Sequence, residues 1–122
     1  MFSGKGSAQT TLTEKEIKDI IGQGTPAELY RDKKVLVLTP DATRTCPLQM
    51  MVRTVNDVSG RRCARLDFMV ALGTHPLMSE SEVLALYGID RQQRLNEFKR
   101  CSFFSHQWNV SGTFQRLGYL EE

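Results

Sequence analysis

Two short apolar runs, each followed at once by polar residues, constrain the fold of this chain more than any other feature. Residues 35–38 lead into the polar loop 41–44, and residues 66–72 lead into His75. Short apolar runs of this kind are typical of buried strands in a parallel sheet. Ligands of open α/β sheets bind beyond the carboxyl ends of the strands, so the sequence predicts a binding site there. The candidate residues are Asp41, Thr43, Arg44 and His75.

Helical patterns separate these runs and indicate how the strands are connected. Apolar residues recur at helical spacing from Pro47 to Ser59, and a capping-box spacing at 79–82 opens a second helix. A third strand is predicted over 99–105. The alternation predicts an α/β fold, a small three-layer domain with a mostly parallel sheet of Rossmann-like topology. The nearly continuous apolar character of the second strand predicts that both faces of the sheet are covered.

The predicted domain organisation has two parts. Residues 1–10 are rich in Gly and Ser and predict a flexible arm, and residues 11–122 predict a single α/β domain. Within it, a helix is predicted to begin after Thr13 and to stop at 22–24, and a short strand is predicted around 114–120. Three buried strands make a small sheet for an independent α/β domain. Three strands alone therefore leave the chain looking unfinished.

Composition argues against several classes of function. A net charge of +2, with scattered basic residues, is too small to favour nucleic acid or an anionic membrane as partner. No apolar run approaches the roughly 20 residues that cross a bilayer, and the N-terminus lacks the apolar core of a signal peptide. Three cysteines at wide spacings, with no zinc pattern, predict free thiols in a reducing cytoplasm and no structural metal.

Arg44 is the candidate for binding an anion. A guanidinium directs two donors toward a carboxylate or phosphate, and the positive end of the helix that follows Pro47 would reinforce this binding. A surface arginine paired with Asp41 is an equally open interpretation. Asp41 itself can orient Arg44 or a neighbouring histidine, or it can serve, like Thr43, as a turn or capping residue.

The chain contains two histidines, and each follows a predicted strand. Imidazole titrates near neutral pH, which makes His75 a candidate for proton transfer. The alternative is a solvated loop histidine without a chemical role. His106 follows the third run and is expected at the same edge of the sheet, and Trp108 either lines an apolar pocket or packs against the core.

Two segments together resemble a known family. Residues 38–47 (LTPDATRTCP) resemble the D-x-T-R-x-x-P signature of nickel-pincer lactate racemases and related 2-hydroxyacid racemases. Residues 71–82 (ALGTHPLMSESE) are similar to the A-L-G-T-H-x-x-M-[ST]-x-x-E segment of that family. The resemblance covers residues 33–118, and its last part, 106–118, matches a looser H-[DN]-x segment followed by L-G. Gln107 stands at the position where that segment has Asp or Asn.

The resemblance implies a hydride-transfer reaction. In the family, nickel in a pyridinium-derived pincer cofactor accepts hydride from the alpha carbon of a 2-hydroxy acid, and the ketone intermediate receives it back on the other face. By resemblance, Arg44 binds the substrate carboxylate and His75 is one of two histidine bases that take the hydroxyl proton. Asp41 and Thr43 organise the loop.

The resemblance also implies that this chain carries only part of the site. Family members are much longer, and their cofactor lysine, second histidine base and nickel-ligating histidine lie beyond the point where this chain stops. His106 is not assigned to either of those histidine roles, and no residue here is assigned to the metal or cofactor. The expectation is the N-terminal portion of the catalytic domain of a larger, two-domain 2-hydroxyacid racemase or epimerase, an isomerase. This chain alone is expected to have no cofactor bound and no activity. Its partners would be a small 2-hydroxy acid and the remainder of the parent protein or a second subunit.

Two alternatives stay open at this point. One is a non-catalytic anion-binding or subunit-interaction domain that keeps the fold and the Arg44 site. The other is an unrelated α/β domain with chance motifs. The identity of the hydroxy acid and the oligomeric state are not predicted.

Overall fold

The sheet at the centre of the structure has three parallel strands in the order β1-β2-β3. The structure, a computed structural model, describes residues 4–120. The strands are β1 (Lys34–Thr39), β2 (Arg65–Val70) and β3 (Cys101–Ser105). The helices are α1 (Glu14–Gly24), a short 3-10 helix (Ala27–Leu29), α2 (Leu48–Ser59), α3 (Glu80–Leu86) and α4 (Arg91–Asn96). The predicted α/β class and the parallel sheet are confirmed.

Capping boxes begin three of the helices. The predicted boxes at Thr13 and Ser79 both form, so that the hydroxyl and the carboxylate three residues later satisfy free backbone amides. A third box joins Asp90 to Gln93 and starts α4. Helix α2 begins at Leu48, one residue later than predicted, because Pro47 is its N-cap.

The core lies on one face of the sheet. Alternate residues of β2, namely Leu66, Phe68 and Val70, are buried against the helices. The Phe68 ring stacks on Phe103 of β3 with 5.5 Å between the ring centroids, and Tyr87 meets Phe68 edge-on. Each fully buried side chain of this size contributes roughly 1.5–3 kcal/mol to folding. This packing fixes the sheet beneath the loops that follow its strands.

The opposite face of the sheet is open, which corrects the predicted number of layers. Leu36 and Leu38 of β1 are 51% and 61% exposed, and Phe104 of β3 is 38% exposed. In a parallel sheet of order β1-β2-β3, two right-handed crossovers in the same direction put their helices on the same side. Residues 4–120 therefore supply a helical layer on one face only, where the apolar sequence of β2 had predicted helices on both.

The two ends of the described chain contain no helix or strand. This holds for residues 4–10 and for residues 112–120, so the strand predicted around 114–120 is wrong. Leu117 and Leu120 are almost fully exposed, and the sheet ends at β3. Residues 1–3 of the predicted arm lie outside the described residues, and its flexibility stays a prediction. No helix within residues 4–120 is long and apolar enough to cross a membrane.

Candidate functional site

The register of the sheet brings the predicted site residues to one edge. Thr39, the last residue of β1, is the partner of Val70, the last residue of β2. The loops that follow these strands therefore start at the same level, and they bring Asp41 into contact with His75. The prediction that these two loops meet at the carboxyl edge of the sheet is confirmed by this geometry.

Asp41 is the centre of the hydrogen-bond network at this edge. Its Oδ1 accepts from the Thr43 backbone N–H at 3.1 Å and from the Thr43 hydroxyl at 2.6 Å. Its Oδ2 is hydrogen-bonded to Nδ1 of His75. The Asp41 side chain is only 12% exposed, whereas that of His75 is 51% exposed. Asp41 is thus held from both sides, and the other edge of the imidazole faces open space.

The hydrogen bonds to Asp41 set the protonation of the pair. The Thr43 hydroxyl, and after it His75, lower the pKa of the Asp41 carboxyl to about 2. Asp41 is therefore a carboxylate at neutral pH and can only accept a hydrogen bond. The hydrogen bond therefore requires a proton on His75 Nδ1. In the neutral form of an imidazole with this tautomer, Nε2 is the nitrogen that can accept a proton.

Arg44 lies on the same loop but does not pair with Asp41. Only its backbone N–H contacts that residue, by donating to the Asp41 carbonyl at 3.4 Å. Within residues 4–120 the Arg44 guanidinium takes part in no hydrogen bond or ion pair. The interpretation of Arg44 as a surface arginine paired with Asp41 is therefore wrong, because Thr43 and His75 occupy that carboxylate. The guanidinium remains available to an external anion.

Two clefts adjoin the Asp41–Arg44 loop. One, of about 500 Å³, is lined by Arg44 together with Gln49 and Arg53 of α2. The other, of about 320 Å³, is lined by His75 and is mostly apolar. Asp41 and Ala42 line both clefts. The structure thus places the anion-binding and proton-transfer candidates on either side of a two-residue ridge and not in a single pocket.

His106 and Trp108 follow β3 and differ in what they contact. The His106 ring meets the Phe114 ring edge-on, with 5.0 Å between the centroids, and makes no side-chain hydrogen bond within the described chain. Trp108 packs at the margin of the core, and its indole Nε1–H donates to the His75 carbonyl at 2.9 Å. Of the two interpretations of Trp108, packing is the one observed.

Two hydroxyl contacts near the site could not be found from the sequence. Thr39 and Tyr87 share a buried hydrogen bond of 2.7 Å, and burial raises the pKa of the Tyr87 phenol. Ser105 accepts from the Met78 backbone N–H at 3.1 Å and donates to the Met78 carbonyl at 2.9 Å. Neither pair follows a motif, since the partners are far apart in sequence.

The described residues do not provide a ligand set for a metal. No group of three or more His, Cys, Asp or Glu side chains lies close together within residues 4–120. Cys46 is exposed, whereas Cys63 and Cys101 are buried, and all three are free thiols. Burial raises the pKa of Cys101 to about 11, so that it stays a protonated thiol at neutral pH. A pincer cofactor would need groups other than these.

Fold and site together define a small α/β domain with a hydrogen-bonded Asp41–His75 pair and the Arg44 guanidinium beyond the strand ends. The family described as the lactate racemase N-terminal domain matches residues 4–122. The chain therefore belongs to the lactate racemase N-terminal domain family.

A solved structure and the curated proteins complete the comparison. The chain is similar to the crystal structure of a Thermotoga maritima protein, with 28% sequence identity and a TM-score of 0.59. The match covers 82% of this chain and 23% of that protein, so the chain spans about a quarter of its length. No curated protein matches the chain.

Proposed function

We propose that this domain supplies a substrate-binding arginine and an acid/base histidine to a nickel-pincer-dependent 2-hydroxyacid racemase or epimerase. The observation that carries the proposal is the pairing of His75 Nδ1 with Asp41, on the loop that also presents Arg44. Membership of the lactate racemase N-terminal domain family supports the reaction class. The proposal concerns the longer parent protein, of which this chain would be one part.

His75 would act as the group that takes the hydroxyl proton of the substrate. With Nδ1–H donated to the Asp41 carboxylate, Nε2 of the neutral ring would accept a proton from the hydroxyl group. The imidazolium formed in this step is stabilised by the same carboxylate. Returning that proton after inversion would restore the neutral ring. Thr43 contributes by holding Asp41 in the orientation that His75 requires.

Arg44 would bind the carboxylate of the 2-hydroxy acid. Its guanidinium has no competing carboxylate partner among residues 4–120, and a bidentate pair with a substrate carboxylate is a strong, oriented contact. Because Arg44 and His75 line adjoining clefts, the substrate would lie across the ridge formed by Asp41 and Ala42. Its carboxylate would face the first cleft and its hydroxyl the second.

The hydride acceptor would come from outside this chain. The resemblance implies that a nickel-pincer nucleotide supplies hydride transfer in the family, and residues 4–120 contain no cluster of metal-binding side chains. The remainder of the parent protein, or a second subunit, would contribute the cofactor site. The open face of the sheet, with Leu36 and Leu38 exposed, is consistent with such a covering partner. The free thiols favour a reducing, cytoplasmic location.

The test is racemisation of a single enantiomer of lactate by the parent protein that contains this domain. We expect the wild-type protein to convert it to the mixture of enantiomers, and the Arg44→Ala and His75→Ala proteins to lose most of this activity. A folded, cofactor-loaded parent protein that binds 2-hydroxy acids without inverting them would instead favour the non-catalytic anion-binding domain. Equal racemisation by the wild type and both variants would refute the two residue assignments.

A further inference from the structure

Two side chains hydrogen-bond to the backbone of the loop that carries His75. They belong to Ser105, the last residue of β3, and to Trp108, which follows β3. The Trp108 indole N–H donates to the His75 carbonyl at 2.9 Å. The Ser105 hydroxyl binds both the backbone N–H and the carbonyl of Met78, at 3.1 and 2.9 Å. The segment 75–78 is thus held at its first and last residues by side chains from the neighbouring strand and its loop.

The loop has few other restraints on the orientation of His75. Gly73 has a positive φ of 59°, and Pro76 has no backbone N–H to donate. The His75 backbone N–H closes a turn to Leu72 at 3.0 Å, but the imidazole itself is half exposed. Its position relative to Asp41 therefore depends strongly on where the His75 backbone is held.

Trp108 is itself well anchored. Its ring packs against the core cluster, and the turn around it is closed by the Val110 N–H donating to the Gln107 carbonyl at 3.1 Å. The Thr113 hydroxyl donates to the same carbonyl at 2.9 Å. The position of the Trp108 indole is therefore restrained, and its N–H in turn restrains the His75 carbonyl to which it donates.

We propose that Trp108 is a positioning residue for His75. Its indole N–H fixes the His75 carbonyl and so keeps the imidazole Nδ1 in contact with the Asp41 carboxylate. The catalytic meaning of this role rests on the proposed function, whereas the positioning itself is a property of this chain. The segment that follows the third strand, which supplies no acid/base group to the proposed reaction, would act on His75 through the Trp108 hydrogen bond.

The experiment uses nitrogen-labelled histidine in the 122-residue chain, which contains only His75 and His106. Trp108 is the single tryptophan, so it can be replaced by benzothienylalanine, which keeps the ring size and lacks the N–H donor. Trp108→Phe is the genetically encoded second variant. Exchange of the His75 Nδ1 proton with water is expected to become about fivefold faster in both, the factor that one hydrogen bond is worth. The His106 signals are expected to stay unchanged.

Tyr30→Phe is the matched control. It removes another aromatic side-chain donor to a backbone carbonyl, the 3.1 Å bond from the Tyr30 hydroxyl to Val58. That bond lies near the start of β1, at the opposite end of the sheet. The control is expected to lower thermal stability to a similar degree without changing His75 exchange. Unchanged His75 exchange in folded benzothienylalanine protein, or an equal change in Tyr30→Phe, would overturn the proposal.

A kinetic measurement on the parent racemase separates the two proposals. If Trp108 positions His75, Trp108→Phe lowers kcat about fivefold with little change in KM, because the Arg44 side chain is untouched. Unchanged kcat together with an inactive His75→Ala protein would refute the role of Trp108 and leave the proposed function intact. Full activity of His75→Ala would refute the proposed function, whatever the exchange experiment shows.

Discussion

His75 and His106 each follow a strand at the same edge of one sheet, yet they have different surroundings. His75 is hydrogen-bonded to a carboxylate of lowered pKa, and its carbonyl is bound by Trp108. The His106 ring meets the Phe114 ring edge-on, and it is paired with no carboxylate within residues 4–120. A position beyond the end of a strand therefore does not by itself make a histidine an acid/base group. In the proposed function, the carboxylate partner of His75 is what distinguishes it from His106.

The largest expected effect separates the two histidines directly. In the longer protein that would contain this domain, His75→Ala is expected to lower kcat for racemisation by about 10²–10⁴-fold, because in the proposed function His75 takes the hydroxyl proton. The matched His106→Ala protein is expected to stay within a few-fold of wild type. Steady-state racemisation rates for both variants provide the measurement. Equal losses for the two would show that the Asp41 partnership does not distinguish them.

Arg44→Ala is expected to act on binding more than on proton transfer. Loss of the charge-assisted carboxylate contact removes about 2–5 kcal/mol of substrate binding, which raises KM by at least about 30-fold. Arg61→Ala, at an exposed arginine beyond the end of α2, is the control and is expected to leave KM unchanged. An unchanged KM and kcat in Arg44→Ala would remove Arg44 from the site.

Asp41→Asn tests whether the carboxylate is what distinguishes His75 from His106. The amide keeps the size of the side chain but no longer stabilises the imidazolium, so kcat is expected to fall about 10- to 100-fold. The fall should be smaller than that of His75→Ala, since the base itself is retained. A loss in Asp41→Asn that appears in KM alone would indicate that Asp41 serves Arg44 or the substrate instead.

Acid is expected to weaken the interaction between Asp41 and His75. This is the smallest of the four predicted effects. The folded state holds the pKa of Asp41 at about 2, below its ordinary value, so the pair stabilises the fold at higher pH. That stabilisation is lost as the pH falls through the ordinary carboxyl range toward 2. Thermal unfolding of wild type and Asp41→Asn should differ at pH 6 and converge near pH 2, whereas a constant difference would contradict it.

The sequence allowed the strand ends to be predicted, and therefore the meeting of the 41–44 loop with the His75 loop. Apolar runs and capping residues are local signals, and parallel pairing brings their ends together. The choice of His75 over Arg44 as the partner of Asp41 could not be made, because it depends on loop geometry across 34 residues of sequence. The contacts of Ser105 and Trp108 with the His75 loop could not be predicted for the same reason.

The open face of the sheet shows a different limit of prediction. Leu36 and Leu38 alternate with the half-buried Val35 and Val37, and every one of these residues is apolar. A uniformly apolar strand predicts that both faces are covered but cannot say which part of a protein covers them. Residues 4–120 cover only one face, and the apolar pattern does not identify what would cover the other.

The tautomer of His75 in the wild-type chain is the most direct test of the acid/base pair. Nitrogen spectra of the neutral imidazole should show a proton on Nδ1 of His75 with Nε2 unprotonated, and this preference should disappear in Asp41→Asn. His106 serves as the reference within the same molecule. A His75 ring that carries its proton on Nε2 in the wild type would contradict the assignment, because the nitrogen facing the substrate would then be unable to accept a proton.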